Sequence, residues 1–66
     1  MKIILNGNEE ILEGLRNITG LLEQKKINPD TIVVEHNMEI IPKENYSKTV
    51  LKENDNIEIL RLVGGG

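Results

Sequence analysis

The sequence predicts a two-layer α+β domain, one short helix packed across one sheet. Three observations predict it. Asn6-Gly7 stands between two strand-like runs, and Asn-Gly is the strongest short signal for a tight hairpin because both residues tolerate positive φ. Leu15, Ile18, Leu21 and Leu22 recur at three- and four-residue spacing, which makes a single apolar stripe. Two later runs, 31–37 and 57–63, are β-branched or alternating and therefore extended.

Taken in order, Met1-Lys2-Ile3-Ile4-Leu5 reads as the first strand, with Ile3 and Leu5 on one face. Glu9-Glu10-Ile11-Leu12-Glu13 returns as the second, and Gly14 ends it. For the helix, Thr19 is the preferred N-cap because it keeps Gly20 at the helix edge, and Asn17 is its competitor. Lys25 and Lys26 fall in the last turn, where cations suit the negative end of the helix dipole, and Asn28-Pro29 closes the element. A helix of about two turns holds only by docking against a sheet. Residues 31–37 form the third strand, and Asn37-Met38-Glu39 turns into the brief extended pair Ile40-Ile41. Residues 42–47 have no clean period and read as an irregular or 3₁₀ stretch around Tyr46. Thr49-Val50-Leu51 reads as a short edge strand and 53–56 as a turn. On the last strand Ile57, Ile59, Arg61 and Val63 share one side, while Glu58, Leu60 and Leu62 take the other. Residues 1–63 make the domain and 64–66 a flexible Gly-Gly-Gly tail.

Composition narrows the function. A chain of 66 residues buries only about 60% of its unfolded surface, so its core is small. Tyr46 is the single aromatic, so that core is aliphatic. A net charge of -3, with the eight Lys and Arg scattered, argues against nucleic acid as a partner. The chain has no cysteine, which removes disulfides, thiolate catalysis and Cys-based metal sites together. Apolar runs of three residues are too short for a signal or a membrane span, and the expected location is the cytoplasm. His36 is the lone histidine and cannot supply a zinc ligand set, so it reads as a strand residue at the surface or bonded locally. Ser47 has no glycine elbow around it, and Gly7 and Gly14 are turn glycines without a phosphate loop. These features point away from autonomous catalysis and leave no catalytic or metal-binding residue to name. Leu60 and Leu62 have two open readings: a second buried side or isolated surface leucines, and an apolar docking patch beside the tail.

The last stretch, Leu62-Val63-Gly64-Gly65-Gly66, is the sharpest feature. Three glycines extended reach roughly 10 Å. Without Cβ atoms, Gly64 and Gly65 can thread a channel that excludes any other sequence. Gly66 then offers an α-carboxylate that is ionised at neutral pH. A carboxylate can attack the α-phosphate of ATP to give an acyl-adenylate, with a partner enzyme supplying Mg²⁺ and cationic side chains.

In Asn37-Met38-Glu39-Ile40-Ile41-Pro42-Lys43-Glu44-Asn45-Tyr46, in Asp55-Asn56-Ile57-Glu58-Ile59, and in Val63-Gly64-Gly65-Gly66, the chain resembles the ThiS family of thiamine-biosynthesis sulfur carriers. That resemblance implies the ubiquitin-like β-grasp fold, a mixed sheet of four to five strands on one helix. It also implies a carrier, not an enzyme. An E1-like adenylating enzyme (ThiF), using ATP and Mg²⁺, would activate Gly66. A cysteine desulfurase or other sulfur donor would convert the adenylate to a thiocarboxylate, and thiazole synthase (ThiG) would accept the sulfur. The carrier itself would bind no cofactor and be a monomer when free. Leu60, Leu62 and Val63 are the expected docking residues, although a leucine at 60 replaces the aromatic often found there in the family. Two rival readings share the fold and the activation chemistry: a molybdopterin-synthase sulfur carrier, and a ubiquitin-like protein modifier.

Overall fold

The computed structural model describes residues 1–14 and 16–62. Two tight hairpins supply four of its strands. Strands β1 (Lys2–Leu5) and β2 (Asn8–Ile11) are joined by Asn6 at φ 50° and Gly7 at φ 85°, with Leu5 opposite Asn8. Strands β3 (Ile32–His36) and β4 (Glu39–Ile41) are joined by Asn37 at φ 51° and Met38 at φ 72°, with His36 opposite Glu39. Positive φ at both central residues is the signature of a type I′ turn, whose twist matches that of the strands it joins. The first turn carries the glycine that geometry favours, whereas the second places a methionine there.

Strand β5 (Asn56–Arg61) enters between the hairpins and makes them one sheet, in the order β2-β1-β5-β3-β4. It runs parallel to β1, with Leu5 beside Ile57, and antiparallel to β3, from His36–Ile57 to Ile32–Arg61. The sheet is therefore mixed and five-stranded, as a β-grasp requires.

The helix α1 spans Ile18–Gln24, and both its ends differ from the sequence expectation. Its N-cap is Asn17, not Thr19: Asn17 Oδ1 accepts the Gly20 N–H at 2.7 Å, and Asn17 Nδ2 donates to the Ser47 carbonyl at 3.0 Å. Gly20 consequently lies inside the first turn. A Cβ there would come within 3.2 Å of Asn17 Oδ1, so the missing side chain makes room for the cap. At the other end Lys25 is the C-cap and Lys26 turns left-handed at φ 58°. The Lys26 N–H reaches Glu23 O at 3.1 Å and the Ile27 N–H reaches Leu22 O at 2.9 Å, which together make a Schellman stop. Lys25 and Lys26 thus sit beyond the last turn, not in it. Asn28-Pro29 does not close the helix either; Asn28 caps a 3₁₀ turn over Pro29–Thr31 by accepting the Asp30 N–H at 2.9 Å. Leu15, expected in the apolar stripe, lies outside the described residues.

Ile18, Leu21 and Leu22 of α1 pack onto Ile3, Val34 and Ile57 of the sheet, and each side chain is essentially excluded from water. Burial of such a side chain stabilises by about 1.5–3 kcal/mol, which is what holds a seven-residue helix in place. Residues 49–51 do not form the expected edge strand. Val50 makes one antiparallel bridge, to Asn17, through Ile18 N–H to Thr49 O at 3.1 Å and Leu51 N–H to Arg16 O at 2.7 Å, so the segment pairs with the entry to the helix and not with the sheet. A second 3₁₀ turn, Lys43–Asn45, delivers Tyr46 into the core. Burial pushes the Tyr46 phenol above its ordinary pKa, against an opposing hydrogen bond at the Val34 backbone.

Candidate functional site

Strand alternation sorts the side chains of β5 onto two faces. Ile57 is fully buried against the helix, whereas Leu60 and Leu62 on the other face are 45% and 54% exposed. Of the two readings open for these leucines, burial in a second core is excluded. Register extends the exposed face onto neighbouring strands. Val33 lies opposite Leu60, Glu35 opposite Glu58, and Ile40 of β4 opposite Glu35. The result is an apolar area around Leu60 and Leu62 with carboxylates behind it, at the end of β5 that leads to the tail. Val33 and Ile40 were not singled out from sequence. Val33 belongs to the run 31–37 and Ile40 to the extended pair after it, but the two become one surface with Leu60 only once β3 is known to lie between β5 and β4.

The sequence-predicted residues Val63, Gly64, Gly65 and Gly66 lie outside the described residues. The structure does show what leads up to them. The Leu62 N–H donates to Thr31 O at 2.9 Å and extends the β3 pairing past Arg61. On the other side, the Ile59 N–H donates to Asn6 Oδ1 at 2.8 Å, so the first hairpin turn clips onto the middle of β5. On the helix side a cleft lined by Leu5, Ile27, Ile32, Ile59 and Arg61 opens beside the same strand end.

The start of β5 is held by a polar network that the sequence reading passed over as a plain turn. Asp55 is only 8% exposed. Its Oδ2 lies 2.7 Å from His36 Nε2 and accepts the Lys52 N–H at 2.8 Å, while Oδ1 accepts from Asn37 Nδ2 at 3.1 Å. Asn37 Oδ1 in turn accepts the Asn56 N–H at 2.8 Å. Burial pushes the Asp55 carboxyl up, but the His36, Lys52 and Asn37 contacts outweigh it and hold the carboxyl below the ordinary aspartate range. His36 is therefore a locally bonded strand residue, in line with its sequence reading. Among the described residues no three His, Cys, Asp or Glu side chains gather as metal ligands, and no helix is long and apolar enough to cross a membrane.

This arrangement is a five-stranded sheet whose open face carries an apolar area beside the last described residues of β5. The family model that matches the chain is that of the ThiS family, over residues 3–66. A crystal structure of the thiamine biosynthesis protein ThiS from Geobacter metallireducens superposes with a TM-score of 0.88 and 32% identity, covering 100% of both chains. The sulfur carrier protein ThiS of Bacillus subtilis is 43% identical over 49 residues, 74% of each chain. A thiazole synthase from Paramagnetospirillum magneticum is 32% identical over 66 residues, the whole of this chain but only 20% of that protein. The chain thus spans about a fifth of the length of that curated relative. A family match across nearly every residue, joined to a full-length likeness in three dimensions, settles the assignment: the chain belongs to the ThiS family.

Proposed function

We propose that this chain carries sulfur for thiazole formation as a thiocarboxylate on Gly66. The observation that carries the reading is the family match, which runs through Gly66 and so takes in the whole glycine tail. In this reading the Gly66 carboxylate attacks the α-phosphate of ATP on an E1-like adenylating enzyme, and pyrophosphate leaves. The terminal sulfur of a donor's persulfide, such as that of a cysteine desulfurase, then displaces AMP from the acyl carbon, and a thiol reductant cleaves the resulting acyl disulfide to release the thiocarboxylate. ATP and Mg²⁺ belong to the partner, and the carrier takes no catalytic part. Gly64 and Gly65 pass through the partner's active-site channel because they have no side chain to obstruct it. Leu60 and Leu62, exposed on the open face of β5, dock against the partner enzymes together with Val63. In this reading the chain acts in the cytoplasm, where ATP for the adenylation is at hand.

Thiazole synthase is the partner that receives the sulfur. The relative from Paramagnetospirillum magneticum supports this choice, because a stretch like the whole of this chain forms part of a protein named thiazole synthase.

The test is a mass measurement. Incubated with the adenylating enzyme, ATP, Mg²⁺ and a sulfur source, the chain exchanges one oxygen for sulfur at its C-terminal residue. Deleting Gly66 abolishes the exchange. An unchanged mass beside an adenylating enzyme proven active on another carrier would falsify the reading.

A further inference from the structure

Glu35 of β3 and Glu58 of β5 are register partners. Their strand neighbours Val34 and Ile57 are fully buried on the helix side, so both carboxylates stand on the open face of the sheet. Directly opposed residues on adjacent strands hold their Cβ atoms about 5 Å apart, and like charges in that position repel. Among the described residues no ion pair neutralises them: the pairs there join Lys2 to Glu9, Lys25 to Glu10, Lys43 to Asp30 and His36 to Asp55, and none reaches Glu35 or Glu58.

The surroundings of this pair are apolar. On the tail side the next register pair is Val33 with Leu60, and Leu62 follows; toward the sheet edge Glu35 faces Ile40. Leu60, Leu62 and Ile40 are all substantially exposed. Two repelling anions set among exposed apolar side chains are poorly placed for an isolated domain. They suit one kind of occupant, a cation carried on an apolar surface.

We propose that Glu35 and Glu58 together receive a single basic side chain, an arginine or lysine, presented by thiazole synthase among apolar residues that cover Val33, Leu60 and Leu62. The proposal rests on the carrier reading and names the chemistry of its docking face. A guanidinium fork has donors enough to bond both carboxylates at once, and such charge-assisted bonds are the stronger kind. Closure of the apolar surround excludes water and strengthens the attraction further. Repulsion in the free carrier thus becomes attraction in the complex. Thiazole synthase is chosen over the adenylating enzyme because the relative bearing its name contains a stretch like this entire chain.

Sign distinguishes this role from a structural one. The E35Q/E58Q double variant keeps side-chain size and removes the repulsion, so the free protein melts no lower than wild type and somewhat higher at low salt. Its affinity for thiazole synthase from the same organism, measured by calorimetry, falls about tenfold at low salt, and the gap narrows at high salt as screening grows. Sulfur loading by the adenylating enzyme, read from intact mass, stays within twofold of wild type. Equal synthase affinity for wild type and double variant overturns the proposal while leaving the carrier reading intact. Lost sulfur loading with unchanged synthase affinity also overturns it, and assigns the basic residue to the adenylating enzyme instead. A wild-type chain that gains no sulfur and binds no synthase overturns the carrier reading, and this proposal with it.

Discussion

Met38 holds φ at 72° while its side chain is 87% exposed, so little packing offsets the strain of a left-handed backbone. Asn6-Gly7 closes the other hairpin with a glycine in the equivalent place. Met38→Gly should therefore raise stability by about 1 kcal/mol, which for a domain of this size lifts the melting midpoint by roughly 4–8 °C. A midpoint that stays or falls in a thermal scan would mean that Met38 makes stabilising contacts in the folded state. The two turns also show what a residue can announce. Asn6-Gly7 was legible because both residues favour positive φ, and Asn37-Met38 was legible from the strands on either side. Lys26 announced nothing. A lysine at φ 58° looks like any helical lysine in sequence, which is why the helix was carried on to the Asn28-Pro29 signal beyond it.

The helix of α1 depends on its cap at the scale of an element. Asn17 satisfies the Gly20 N–H and also ties the helix start to Ser47. Asn17→Ala should cost about 1–2 kcal/mol, read as a lower midpoint in urea with little change in slope. Thr19→Ala should cost a few tenths at most, since Thr19 is not the cap; equal losses from the two variants would overturn that assignment. The preference for Thr19 came from treating Gly20 as a defect to be kept out of the helix. In the folded chain the small residue is what lets the Asn17 side chain close over the first turn. Strand β5 was read more accurately because its alternation is long and unbroken, and burial follows that alternation from Ile57 to Leu60. Residues 49–51 have the composition of a strand but not the neighbour, and composition alone cannot say which backbone will be alongside.

For the whole molecule, Asp55 couples three segments: the end of β3, the turn after it, and the approach to β5. Its folded pKa lies below the ordinary aspartate value of about 3.9. The stability it contributes is fully present above that ordinary value and is lost as pH falls through the lower folded one. Denaturant unfolding followed from neutral pH downward should show wild type losing stability below about pH 4. Asp55→Asn should start about 1–3 kcal/mol lower at neutral pH and lose less on acidification. Parallel curves for the two proteins across the acid range would sink this account. The network itself was not legible, because it joins residues eighteen and nineteen positions apart whose proximity only the sheet order reveals. The open face of the sheet was half legible: Leu60 and Leu62 stood out on their own strand, while Val33, Glu35 and Ile40 needed the register.

That sheet order bears on how the chain is made. The strand in the middle of the sheet is the last of the described strands to be synthesised, and before it exists the two hairpins have no shared edge. A chain broken off before residue 56 would be a pair of unjoined hairpins, and an isolated two-stranded hairpin is marginal in water at best. A finished sheet is thus a certificate of length. Any enzyme that recognises the assembled face thereby rejects every molecule that lacks β5.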